Sequence, residues 1–195
     1  MSKSLLNENR DVNIAVQLIQ MGARMAVLEA ETSLSHERLV RLYREVTGQS
    51  PSKGQLPYST DWFIGWQPNI HASLFLNIHE YLSKTSELEE IDTVIKAFRL
   101  YSEQMTASAI EPLLSITRAW RLVKFVDNGM LTLTACSRCG GHFVTHPHTT
   151  ETHVFSSGFE KRRKLANTFR ICSSTVYTWN KSCCIWPTIL PNAGM

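Results

Sequence analysis

Residues 19–46 read IQMGARMAVLEAETSLSHERLVRLYREV, and their periodicity sets the fold class. From Val12 to Glu31, Ile14, Leu18, Met21, Met25 and Leu28 recur at helical spacing, with Gly22 the only weak point. The segment ETSLS interrupts the pattern. Ser35 is a good N-cap for a second helix from about His36 to Val46, which Thr47 and Gly48 stop. Two helices joined by a tight turn form a helix-turn-helix-like pair. On the second helix Leu39, Leu42, Tyr43 and Val46 fall at i, i+3, i+4 and i+7 and make the packed stripe. Arg38, Arg41 and Arg44 then form a separate basic stripe, suited to phosphate contact and guanine reading. The plainer alternative is a solvated face with Glu37 and Glu45 as partial partners.

Outward from this pair the chain remains helical. GQSPSKGQLPYST is a loop by composition, and Ser59 or Thr60 can cap the next helix, where DWFIGW supplies aromatic packing. His71, Leu74, Phe75 and Ile78 continue at helical spacing. A charged break at SELEEID precedes a helix carrying Val94, Ile95, Phe98 and Tyr101. Pro112 marks the start of a last helix, with Trp120, Val123 and Phe125 on its core stripe up to Asn128 and Gly129. His71 and His79 each stand alone on a packed helix and read as packing residues, since a metal site needs three or four converging groups. Glu87, Glu89, Glu90 and Asp92 read as a solvated helix-start cluster with no histidine or cation nearby.

The chain has 195 residues with a net charge of +3, enough for one well-buried core and a small appendage. So slight a basic excess leaves nucleic-acid binding to depend on where the charges sit. The polar start MSKSLLNENRDVN lacks an apolar signal core, and no window approaches a membrane span, so the expectation is a cytoplasmic protein without a membrane partner. No nucleophile elbow, zinc-protease helix, P-loop or dinucleotide fingerprint is present, and neither an enzyme nor a small-molecule substrate is expected.

Cys136 and Cys139 form a C-x2-C pair after the strand-like LTLT, a metal or redox element in a reducing compartment. A thiol oxidoreductase is disfavoured, because its cysteine pair normally opens a helix in a βαβ setting, whereas Gly140 and Gly141 follow here. Further on, Lys161, Arg162, Arg163 and Lys164 are consecutive cations, either a phosphate clamp or a solvated tail.

The blocks LPYSTDWFIGW, HASLFLN, VIKAFRLY and PLLSITRAWRLVKFVDNGMLTLTACSRCGGHFVTHPH, with the opening helical segment, resemble the bacterial flagellar transcriptional activator family FlhC over about residues 8–148. The resemblance implies a cytoplasmic DNA-binding subunit that acts with FlhD, two C chains and four D chains forming a heterohexamer on promoter DNA. Apolar helix faces around Trp62, Phe63 and Trp120 are then candidates for partner docking. It also implies one structural zinc per chain, held by two C-x2-C pairs, of which Cys136 and Cys139 match the first.

The second pair is missing from its expected place roughly 15–20 residues downstream, where the chain reads THVFSSGF. His148 and His153 have the spacing of a common second half, with His142 and His146 also close. Cys172, Cys183 and Cys184 of the tail are another source. Loss of the metal, or a change of reading frame near residue 150, is the third. A paralogue that keeps the FlhD partner but has lost zinc and activation is the alternative function. The expected organisation is mainly α: a helical body over 1–130, a zinc-ribbon-like module with the basic run over 131–164, and an atypical tail over 165–195.

Overall fold

The computed structural model describes residues 5–51, 54–136 and 141–148. Seven helices precede a β-hairpin among these residues: α1 Leu5–Gln20, α2 Met25–Glu31, α3 His36–Thr47, α4 Asp61–Ile64, α5 Trp66–Thr85, α6 Glu90–Ala107, α7 Ile116–Asp127, β1 Thr132–Ala135 and β2 His142–Thr145. The mainly α expectation holds.

Several boundaries differ from the periodic reading, each for a local reason. The helix expected from Val12 to Glu31 is two helices. Gly22 adopts φ +78° and its N–H bonds the Ile19 carbonyl, which closes α1. Apolar residues stay in phase across this break because both helices face one core, so periodicity alone could not reveal it. DWFIGW also divides, α4 ending before Gly65 and α5 starting at Trp66. Pro112 lies before the last helix instead of inside its first turn; the cap is Ser115, whose hydroxyl accepts from the Arg118 N–H. Ser35 occupies the N-cap position of α3 as expected, but its hydroxyl makes no capping bond. At the other end Gly48, at φ +70°, stops α3 as the sequence indicates.

The core gathers one face from each longer helix. Phe75 of α5, Tyr101 of α6 and Phe125 of α7 are fully enclosed, together with Phe63 of α4 and Leu18 and Ile19 of α1. Burying a side chain of this size contributes about 1.5–3 kcal/mol relative to exposure. α3 contributes Leu39 completely and rests Leu42, Tyr43 and Val46 against the cluster, so its packed stripe is the expected one. Phe63 and Trp120 face this core, a choice between core and partner that the sequence left open; the Trp120 indole N–H donates to Glu31 at 2.6 Å. Trp62 is half-buried, and Trp66 and Tyr81 remain exposed.

The two histidines pack as expected. His71 Nδ1 lies 2.6 Å from the Tyr101 hydroxyl, which also accepts from the Leu114 N–H at 3.2 Å. The carboxylates at the start of α6 are not isolated from cations, contrary to expectation. Arg10 arrives from α1 to meet Glu89 and Asp92, and Lys124 arrives from α7 to meet Glu90 and Glu31. Both cations are distant in sequence, and only packing brings them there. No helix among the described residues is long and apolar enough to cross a membrane.

Candidate nucleic-acid interface and cysteine turn

α2 and α3 are braced as a unit. The intervening turn is tied to α1 where Asp11 accepts from the Ser33 N–H at 3.0 Å, and His36 of α3 reaches Glu29 of α2 at 2.5 Å. This fixes how α3 presents its outer face. Arg38, Arg41 and Arg44 are all exposed there, but they are not equivalent. Arg38 is engaged by Glu8 of α1, whereas Arg41 and Arg44 make no ion pair among the described residues. The basic stripe therefore reduces to two uncommitted guanidiniums, beside Glu37 and Glu45.

The second feature is the hairpin. β1 and β2 pair antiparallel, Thr132 opposite Thr145 and Ala135 opposite His142. Cys136 sits where β1 enters the turn, is buried, and its N–H bonds the Gly141 carbonyl at 2.8 Å across the turn. The strand-like reading of LTLT is correct. Asn69, Ser73 and Asn77, one turn apart on α5, face β2 like a substitute strand. Asn69 donates to the Val144 carbonyl at 2.8 Å, Ser73 Oγ accepts from the Val144 N–H at 3.0 Å, and Asn77 donates to the His142 carbonyl at 3.1 Å. The edge of the sheet is thus satisfied by helix side chains instead of solvent. Sequence periodicity gives these three residues only as polar positions at i, i+4 and i+8; what they bond is a tertiary fact.

Of the expected zinc ligands, Cys136 and His148 lie among the described residues, and Cys139 and His153 lie outside them, as do Cys172, Cys183 and Cys184. Cys136 is buried and His148 exposed. His142 is exposed on β2, and His146 Nε2 lies 3.8 Å from Asp61. No group of three candidate ligands converges among the described residues. The basic run Lys161, Arg162, Arg163 and Lys164 also lies outside them.

Packing brings together a third set of residues, absent from the sequence reading. Arg24, just before α2, bonds the Gln55 carbonyl through its guanidinium. Arg121 of α7 donates from Nε to the Pro57 carbonyl at 3.3 Å and lies over the Phe125 ring. Arg118, one turn earlier, stacks on Trp62 with its guanidinium carbon 3.9 Å from the ring centroid. None of the three makes a salt bridge among the described residues. Burial pushes the Arg118 pKa down, and the charge that acts on it in the same direction is another cation, Arg24. The only sequence signal was that residues 115–126 contain three cations and no acid.

The described residues thus form a mainly helical body that carries a β-hairpin with Cys136 at its turn. A family model for the flagellar transcriptional activator FlhC matches residues 1–167. The flagellar transcriptional regulator FlhC of Verminephrobacter eiseniae is 68% identical over 143 residues, covering 73% of this chain and 78% of that protein. The FlhC of Paraburkholderia atlantica is 52% identical over 157 residues, 80% of this chain and 72% of its own. That of Serratia marcescens is 53% identical over 147 residues, 75% and 76% respectively. The chain belongs to the FlhC family, and these relatives are named flagellar transcriptional regulators.

Proposed function

We propose that this chain is an activator subunit for flagellar genes that binds promoter DNA together with FlhD-type partner chains, two of this chain with four of the partner. The match to the flagellar activator family over residues 1–167 carries this reading. Arg41 and Arg44 on the braced α3, and the run Lys161 to Lys164, are its proposed phosphate contacts. A guanidinium suits this role because its planar fork matches a phosphate bidentately and stays charged at any physiological pH.

A structural zinc belongs to the same proposal. Cys136 and Cys139 would hold it, with His148 and His153 as further ligands. A buried thiol at the end of β1, whose own N–H bonds the Gly141 carbonyl, suits a metal that is held by protein ligands alone, because thiolate ligation offsets the cost of burying the charge. With four protein ligands the metal leaves no open position for water, so its contribution is to hold the hairpin turn in shape.

The test is a complex of this chain with FlhD-type partner, assayed for zinc content and for a mobility shift of a flagellar promoter duplex. One zinc per chain, lost in Cys136→Ser, together with a shift, supports the reading. A stable complex that carries no zinc and fails to shift DNA would replace the activator with a partner-binding chain.

A further inference from the structure

Arg41 and Arg44 of α3 are not the only cations without a carboxylate partner among the described residues. Where a cation meets an acid elsewhere on the described surface, the acid neutralises it: Arg10 meets Glu89 and Asp92, Arg38 meets Glu8, Lys84 meets Glu80, and Lys124 meets Glu31 and Glu90. Arg24, Arg118 and Arg121 meet carbonyls and rings instead. These contacts hold the guanidiniums in place while leaving most of their donors unused. Arg121 spends Nε on Pro57 and keeps its terminal N–H groups, Arg24 spends one nitrogen on Gln55, and the Arg118 side chain makes no hydrogen bond among the described residues. An arginine fixed by ring stacking has already lost much of its rotamer freedom, so it loses less on gripping an anion.

The cluster is also closed and internally braced. The loop carrying Gln55 and Pro57 is held by Arg24 at one carbonyl and Arg121 at the next but one. Beneath it Trp62, Phe63 and Phe125 stack edge to face, with centroids 5.0 and 6.0 Å apart, and the outer two rings carry Arg118 and Arg121. Arg24 is joined to α7 as well, its backbone N–H donating to Thr117 at 3.1 Å, next to Arg118. Like charges brought together in this way repel, and an external anion relieves that cost.

We propose that Arg24, Arg118 and Arg121 form a second phosphate-gripping surface, separate from α3, that contacts the backbone of duplex DNA. This rests on the DNA-binding reading above and extends it to residues of the α1–α2 turn and α7. The surface reads no bases: it fixes the protein's position on the duplex and contributes affinity and salt dependence. Duplex DNA is favoured over an acidic protein segment because a guanidinium fork matches a phosphate bidentately and the relatives are transcriptional regulators.

The experiment measures affinity of the complex with FlhD-type partner for a fluorescent promoter duplex across a series of salt concentrations. Arg118→Gln with Arg121→Gln should flatten the slope of log affinity against log salt by about 1.8 for each copy of this chain that contacts the duplex, since each lost phosphate contact removes about 0.9. Affinity for promoter and scrambled duplexes should fall by the same factor. The charge-retaining Arg118→Lys with Arg121→Lys should keep most of the slope, with thermal melting of both variants as the check on folding. An unchanged slope in the glutamine variant, or a lysine variant as impaired as the glutamine one, would overturn the proposal in favour of a purely structural role. Failure of the glutamine variant to copurify with the partner would overturn it in favour of an acidic protein surface. If the wild-type complex bound no duplex at any salt concentration, the activator reading itself would fall.

Discussion

Asn69 on α5 donates from one side-chain amide nitrogen to two carbonyls, Phe63 at 2.9 Å and Val144 at 2.8 Å. It therefore joins the end of α4, the middle of α5 and the hairpin that carries Cys136. The amide is buried, and Ser73, one turn on, completes the pairing of Val144.

Asn69→Ala should accordingly cost more than one ordinary hydrogen bond. It leaves two buried acceptors without a donor, and about 2–6 kcal/mol is expected at about 1–3 kcal/mol for each unsatisfied group. Urea unfolding of the purified complex measures the loss. Limited proteolysis should show earlier cleavage near the hairpin, and a variant as stable as the wild type would mean that the hairpin is held by other contacts.

Gly22 supplies a test of the helix break. Were residues 12–31 one continuous helix, Gly22→Ala would stabilise the protein by about 1 kcal/mol. At φ +78° the same substitution should destabilise it by about 1–2 kcal/mol, all of it backbone strain because no atom lies within 4 Å of the added methyl group. The sign of the change in melting temperature decides between the two.

Tyr101→Phe should lower stability by about 1–3 kcal/mol without changing core volume much. It removes the hydroxyl that accepts from the Leu114 N–H and lies 2.6 Å from His71 Nδ1. Hydrogen exchange at the Leu114 amide should speed up, since this bond holds the segment ahead of α7. A wild-type exchange rate would show that the amide finds another acceptor.

Stability should fall on mild acidification. Burial lowers the pKa of His71, and burial likewise lowers that of His79 against the opposing pull of Asp127, Glu90 and Glu80. Both are therefore held neutral in the folded chain to a lower pH than in the unfolded one. Between the folded value and about 6.5 the unfolded state binds more protons, so stability is full above that window and is lost as pH drops through it. Asp127 works the other way, its carboxyl raised by burial and by the neighbouring Glu90. Denaturant unfolding at a series of pH values, with His71→Gln for comparison, checks this: the variant should show the shallower dependence.

Sequence periodicity was sufficient for the helical class, the α3 stripe of Leu39, Leu42, Tyr43 and Val46, the stop at Gly48 and the strand before Cys136. Each is a local matter, set by side-chain spacing, by a glycine that can adopt positive φ, or by a β-branched run. The spacing of Cys136 and Cys139, and the blocks shared with a known family, were equally legible. Sequence alone did not reveal that Gly22 ends a helix, because the apolar phase on both sides still points into one core. Nor did it show that Glu8 occupies Arg38, that Phe63 and Trp120 turn inward, or that Arg10 and Lys124 serve the carboxylates of α6. Asn69, Ser73 and Asn77 gain their meaning only where β2 lies against them, and Arg24, Arg118 and Arg121 come from two distant segments. Which polar groups meet depends on contacts between residues far apart in the chain, and those exist only once burial of the apolar faces has fixed how the helices pack.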